Sequence, residues 1–464
     1  MDKNLKISFF LCLIILFSKL IAIYFTNFGL YGDEAQYWLW SLSPSLGYFS
    51  KPPFLSWFLS LYVFIFGSSF FALKLIPVFS YCVTSYVIFL IGKKLYDIKT
   101  GIACALSFFV LPAVSVSSFI ISTDIMLIMF WSLGLLQLIK TKEHPSYLNF
   151  TVLGVILGLC FLSKYAAIYF VISMFCLMIF EKKYRDVFFK SKTKLFYFFL
   201  VVFLICSPNI FWNHYNGWIT IGHTAENASL NNINIDIYRA IEFLLTQIVM
   251  LGPLIFFSFL LYIKKFKDDN LIFLLSFSMP AIVIVTIESL LVRAHANWAA
   301  VSLVSLSIFV VAVVYKNNKT LLYFNNLISG FFVLIFFILI GFSSNIKIFD
   351  RINYTDKIKS VLEEVNEKGI KNLVIEDRLL FANLKYIYKN ENMNIYTPYK
   401  PLTKIKHHFQ ISDALPKNFS SNFILIGNKG SINYLNNKKS FVLKNESNFK
   451  FTSQQVKFYE VLFD

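Results

Sequence analysis

The chain has 464 residues, of which 57% are hydrophobic, 19% aromatic and only 15% charged, and its formal net charge is +17. Soluble domains carry about 25% charged residues, so composition excludes an ordinary soluble domain and points to a polytopic membrane protein. A basic balance can signal a nucleic-acid partner, but here Lys and Arg sit largely in short segments between apolar runs, where they set membrane orientation.

The N-terminus, Met1 to Lys6, leads into an apolar run ending near Phe25. It lacks a small-x-small cleavage site and is long enough to span, so it reads as an uncleaved first helix. Further apolar helices are expected near 70–92, 101–120, 123–140, 149–163, 165–180, 195–212, 239–263, 271–290, 297–315 and 321–343. The expected fold is therefore an α-helical polytopic domain over 1–345, with about eleven to thirteen transmembrane helices and a first loop at 28–69. The run Pro53–Phe66 is apolar but short. If it lies in the interface or re-enters, the basic clusters at Lys93-Lys94, Lys140 with Lys142, Lys182-Lys183 to Lys194, Lys264-Lys265 with Lys267, and Lys316 with Lys319 all fall on one side. That is the positive-inside pattern, with the N-terminus inside. The first loop, Ser122-Thr-Asp124, Ser163-Lys164, Asn213–Tyr238 and Val292–Asn297 then share the outer side.

Residues 346–464 are polar, with strand-like runs at Asn372–Glu376, Phe423–Gly427 and Phe458–Phe463 and helical patterns at Asp356–Lys368 and Asp377–Lys389. This alternation predicts a small α/β domain, placed outside by an odd number of crossings. All six cysteines (Cys12, Cys82, Cys104, Cys160, Cys176, Cys206) fall in apolar runs, none pairs at metal-ligand spacing, and no disulfide is expected.

The candidate chemistry gathers on the outer side. Asp33 and Glu34 follow Gly32 in a loop rich in aromatics, among them Tyr37 and Tyr48. Acids suit the first turn of any helix; a carboxylate there can also serve as a general base for an acceptor hydroxyl. Lys51 stands in Ser50-Lys-Pro-Pro-Phe54, a stiffened segment that suits either a snorkelling lysine or a phosphate ligand. Asp124 sits at a helix start, a common place for an acid. Lys164 sits at the break between two apolar runs, where a cation is costly unless paired or functional. The segment Ser207 to His223 carries Trp212, His214 and Trp218, and its two histidines make a poor metal signature. Arg239, Arg293, His295 and Trp298 add cations and aromatics. No phosphate loop and no dinucleotide glycine fingerprint is present, so no cofactor is expected; a divalent metal ion stays open without an indicated ligand set.

Asp33-Glu-Ala, followed by Gly47-Tyr-Phe-Ser-Lys-Pro-Pro-Phe-Leu-Ser-Trp57, resembles the first outer loop of the GT-C membrane glycosyltransferases. The likeness is to the family 39 and aminoarabinose-transferase group, relatives of the protein O-mannosyltransferases. Ser122-Thr-Asp124, Leu162-Ser-Lys-Tyr165, Pro208-Asn-Ile-Phe-Trp-Asn213 with Gly217-Trp218, and Ala296-Asn-Trp298 are similar to later motifs in the same order, over roughly residues 5–345. The resemblance implies sugar transfer from a polyprenyl-phosphate donor to lipid A, another glycan or a protein, on the outer face of a bacterial inner membrane. Carried over by position, Asp33 is the base, Glu34 supports it and Asp124 is a second acid. Lys51 and Lys164 meet donor phosphate, and Arg293 joins them because arginine suits phosphate. Tyr37, Tyr48, Trp212, His214, Trp218, His295 and Trp298 line the substrate. Gln36 departs from the pattern, since aminoarabinose transferases tend to carry arginine there. A lipid or solute transporter is the alternative reading, and a non-catalytic assembly subunit a third. The inverted repeats and broken helices in matching halves that many transporters show are not seen.

Overall fold

The computed structural model describes residues 3–228, 233–265, 270–342, 354–399, 405–436, 441–451 and 454–463. Lys267 and the expected boundary near 345 lie outside these residues. The chain forms two compact units: Met1–Phe25, Lys51–Leu55 and Phe71–Phe342 make the first, and Thr26–Ser50, Ser56–Phe70 and Ser343–Asp464 the second.

Among the described residues, the regular structure of the first unit is helical, because apolar runs leave the backbone no partners except its own carbonyls. Among the described residues, six helices are long and apolar enough to cross a membrane, and eight if two bent pairs each count as one span: Lys3–Phe25, Phe70–Leu95, Thr123–Glu143, Lys192–Tyr215, Leu271–Leu291, Lys319–Phe342 and the pairs beginning at Tyr165 and Ile237. The expected count of about eleven to thirteen was larger because it included runs that fold as the shorter apolar helices Ile98–Phe109, Tyr147–Ser163 and Ser302–Asn317, which fall below the ~20 residues a straight span needs. Breaks sit where the backbone is interrupted. The expected helix at 101–120 stops at Val110 and restarts at Pro112. The one at 239–263 turns by 93° at Gly252-Pro253, where Gly252 has φ 103°, a conformation that side chains with a Cβ rarely adopt. Lys3–Phe25 packs on Lys319–Phe342, and Tyr147–Ser163 packs between Thr123–Glu143 and Lys192–Tyr215. Exposed side chains include Phe10, Phe17, Phe203, Leu204 and Phe331, the outward apolar surface of a protein solvated by lipid. All six cysteines are free.

The second unit carries one five-stranded sheet. Its strands are β1 (Asn372–Ile375), β2 (Asn394–Tyr396), β3 (Phe423–Ile426), β4 (Phe441–Phe451) and β5 (Gln454–Phe463), in the order β2-β1-β3-β5-β4. β1 runs parallel to both β2 and β3, while β5 runs antiparallel to β3 and β4. The three expected strands are β1, β3 and β5. β2 is too short to signal itself, and β4 lacks alternation because a register shift interrupts it between Lys444 and Ser447. All four β3 residues are buried, as a strand covered on both faces requires. Val374, Phe423, Leu425, Ile432, Leu435 and Val461 form the core beside it. The expected helix after β1 is Arg378–Ile387, capped by Asp377, whose carboxylate accepts from the N–H groups of Leu379 and Leu380. It packs against Gly32–Leu42, the helix formed by the first loop. The stretch Pro53–Phe66 folds as the helix Phe54–Phe66, 13 residues or ~20 Å long, against a hydrocarbon core of ~30 Å.

Candidate functional site

In the second unit, the first loop turns into a helix at Gly32. Tyr31 is its N-cap, and the Glu34 carboxylate accepts the Tyr31 N–H at 2.6 Å. Glu34 is fully buried: the second of the two adjacent acids closes the helix start. Asp33 points elsewhere. Its carboxylate meets the Arg378 guanidinium at 2.8 Å, and the same nitrogen donates to the Gln36 carbonyl at 2.7 Å. Asp33 keeps 41% and Arg378 39% side-chain exposure, so the pair adds little stability and stays open to solvent and ligand. The position where the resemblance leads one to expect arginine is thus Gln36, with a guanidinium brought to it from the start of Arg378–Ile387.

Aromatics hold this loop in shape. Trp40 and Tyr48 stack at 4.4 Å, and the Tyr48 hydroxyl donates to the Trp40 carbonyl while accepting the Ser45 N–H. Tyr37 is buried edge-on to Trp40 at 5.7 Å, and Trp57 donates to the Ser45 carbonyl. Trp38 packs edge-on to Tyr386 at 4.9 Å, and Lys389 lies 3.9 Å from the centre of the Tyr386 ring. Burial, with the Glu34 charge adding to it, raises the Tyr386 phenol to about 12, so it stays protonated and donates to the Ser68 carbonyl.

His408 is set edge-on to both Trp40 and Tyr48. Burial lowers its pKa from 6.5 to about 4, against the opposing pull of Asp413. Between those values the unfolded chain binds more protons than the folded one, so stability falls as pH drops from about 6.5 toward about 4. Melting curves should show this loss, and the loss should shrink in His408→Asn; an equal loss in both would remove His408 as its source.

A second group lies in the first unit. Lys164 follows Tyr147–Ser163 in extended backbone, and its ammonium meets Asp124 at 2.6 Å. The other Asp124 oxygen accepts from the Asn297 amide at 2.9 Å. His295 stands edge-on to Trp298 at 5.4 Å. Burial first, then the nearby Arg293 and Lys164 charges, lower its pKa, which favours the neutral imidazole. Tyr165 donates to Asn209 and accepts from Asn213, which orders the segment leading to His214 and Trp218. Trp218 has φ 57°, an uncommon conformation for a bulky side chain, and its ring lies 6.1 Å from His214. Trp212 is half-buried, and its carbonyl accepts from Asn216. Lys51 is half-buried in the same unit, which also holds the fully buried Lys74, a donor to the Phe119 carbonyl at 2.9 Å. Arg239 is held by Asp236 and the Asn234 carbonyl. Among the described residues, no three His, Cys, Asp or Glu side chains converge as a metal cage.

Asp124, Lys164 and Asn297 come together from three separate helix ends, a combination that the sequence reading assembled only in part. It passed over Arg378 and Asn297 as site residues. The usable signal for Arg378 was its place just past the carboxyl end of a predicted strand, where sheet proteins carry functional groups.

Residues 50–212 match the family described as dolichyl-phosphate-mannose-protein mannosyltransferase. The chain is 25% identical over 424 residues to the lipid A galacturonosyltransferase RgtD of Rhizobium johnstonii, covering 88% of each chain. ArnT of Cupriavidus metallidurans superposes in its apo state with a TM-score of 0.66, at 11% identity over 97% of both chains. Its complex with undecaprenyl phosphate gives 0.67, at 12% identity over 98% of this chain and 97% of that one. The chain thus shares the fold of ArnT, and a segment of it matches a family of membrane glycosyltransferases. Its likeness is to the family 39 and aminoarabinose-transferase group.

Proposed function

We propose that the enzyme moves a sugar from a polyprenyl-phosphate donor to a hydroxyl of a lipid-anchored saccharide of the lipid A type. The bond from the anomeric carbon to the donor phosphate breaks, and a bond from that carbon to the acceptor oxygen forms. The acceptor proton passes to Asp33, and the departing phosphate takes the bonding electrons. Lys51, Lys164 and Arg293 are the cations assigned to that phosphate, where fixed charge lowers the barrier. Lys164 reaches this role from its pair with Asp124, so Asp124 and Asn297 act as positioning residues for it. The substrate-lining aromatics remain those of the first loop and of the segments around Trp212, Trp218 and Trp298. The enzyme sits in a bacterial inner membrane with its N-terminus cytoplasmic and its first loop and C-terminal domain periplasmic, as the placement of the basic loops supports.

The observation that carries this reading is the half-exposed Asp33 carboxylate held by Arg378, whose same nitrogen also donates to Gln36. The carboxylate is positioned without being closed off, as a general base needs. The likeness to a lipid A galacturonosyltransferase supports the acceptor class. The test is transfer of labelled sugar from a panel of polyprenyl-phosphate donors to purified lipid A by the enzyme in membranes. Labelled lipid A is the expected product. No transfer from any donor, together with movement of labelled lipid between leaflets, sinks the proposal in favour of a transporter.

A further inference from the structure

The second unit contains an open cavity of about 710 Å³ that none of the preceding assignments uses, apart from Arg378 on its wall. Its position follows from strand order. β1 continues through Arg378–Ile387 to β2 on one side, whereas β3 pairs with β1 on the other. The connections therefore diverge between β1 and β3, and in open parallel sheets the crevice outside the carboxyl ends at such a point is where ligands bind. The cavity is lined there by Glu376, Asp377 and Arg378 after β1, and by Gly427, Asn428 and Lys429 after β3.

The floor of this crevice is tightly specified. Gly427 has φ 152°, and a Cβ on it would stand 2.7 Å from the Glu376 Cβ. Both carboxylates are turned to backbone donors: Glu376 accepts the Asn428 N–H at 2.9 Å, and Asp377 caps the helix. Against these two carboxylates the wall sets four cations, Arg378, Lys406, Lys429 and Lys457, with His407 beside them, so its net charge is positive, while Ile426, Val456 and Tyr459 supply apolar surface. Cations beside a partly apolar wall match a pyranose ring that bears an acidic group. Arg378 joins the cavity wall to Asp33, which it contacts at 2.8 Å.

We propose that this cavity is a binding subsite for an anionic saccharide, a pyranose carrying a phosphate or a carboxylate, and that it holds the acceptor. The acceptor role rests on the glycosyltransferase reading with Asp33 as base; the binding itself does not. The full-length enzyme in nanodiscs, without donor, should bind glucosamine 1-phosphate or glucuronate about tenfold more tightly than neutral glucosamine, the size expected for a charge-assisted contact. Which of the two acids binds better identifies the acidic group. The combined Lys429→Ala and Lys457→Ala variant should lose that preference, and Lys→Arg at both positions should keep it. With donor present, the alanine variant should raise the KM for acceptor and leave the KM for donor unchanged. Equal binding of charged and neutral sugars overturns the proposal, as do inorganic phosphate binding as tightly as the sugar phosphate and an alanine variant with unchanged affinity. Absence of transfer in the wild type, with the sugar preference intact, would defeat the catalytic reading and the acceptor role while leaving the anionic-saccharide site standing.

Discussion

Asp33→Asn should reduce sugar transfer by about 10²–10⁴-fold, the range a general base contributes. The amide keeps an oxygen to accept from Arg378, so that contact and the separate bond from Arg378 to Gln36 survive. Only the charge and the proton-accepting capacity disappear. Because both members of the ion pair are well exposed, stability should change by less than about 1 kcal/mol. Steady-state transfer with saturating donor, alongside a melting curve, measures both. Unchanged turnover in Asp33→Asn removes it as the base. A loss of turnover matched by a loss of folded protein removes the argument that the effect is chemical.

The second large effect is expected at Asp124. Its pair with Lys164 leaves only 15% and 16% of the two side chains exposed, and Asn297 satisfies the other carboxylate oxygen. Asp124→Ala strands a largely buried ammonium, which should cost about 3 kcal/mol, the low end for breaking a buried pair. Replacing both partners, Asp124→Ala with Lys164→Met, should recover most of that stability because no charge is left unpaired. Transfer should remain lost in the double variant, since a methionine cannot stabilise a departing phosphate. Recovery of activity along with stability would reduce the pair to a structural contact. Additive destabilisation would mean that the two side chains are not coupled.

The helices of the first unit follow from local composition, because an apolar run in lipid can satisfy its backbone only as a helix. Their interruptions have local causes as well, in Pro112 and in Gly252-Pro253, although the apolar pattern runs straight through both and leads one to expect unbroken helices. The change to a small α/β domain is written locally, where β1 and β3 announce themselves as short apolar runs. β4 did not, because its stability comes from pairing with β5 and not from its own pattern.

The site was legible as residue types and not as partnerships. Asp33 and Glu34 are neighbours in sequence with equal claims to chemistry. Successive helical side chains diverge around the axis, so one turns back to cap Tyr31 and the other reaches Arg378. Nothing local distinguishes them. Asp33 and Arg378 are 345 residues apart, and Asp124 and Lys164 are 40 apart. By itself, then, the sequence determined the membrane-spanning class, the helical segments, the α/β domain and the loop that carries the acids. Only the tertiary structure decided which acid is buried as a cap, which cation each remaining acid meets, and that a charged cavity opens where β1 and β3 diverge. The physical reason is that helix formation is decided by neighbours within a few residues, whereas ion pairs and crevices at strand ends exist only once distant segments have packed.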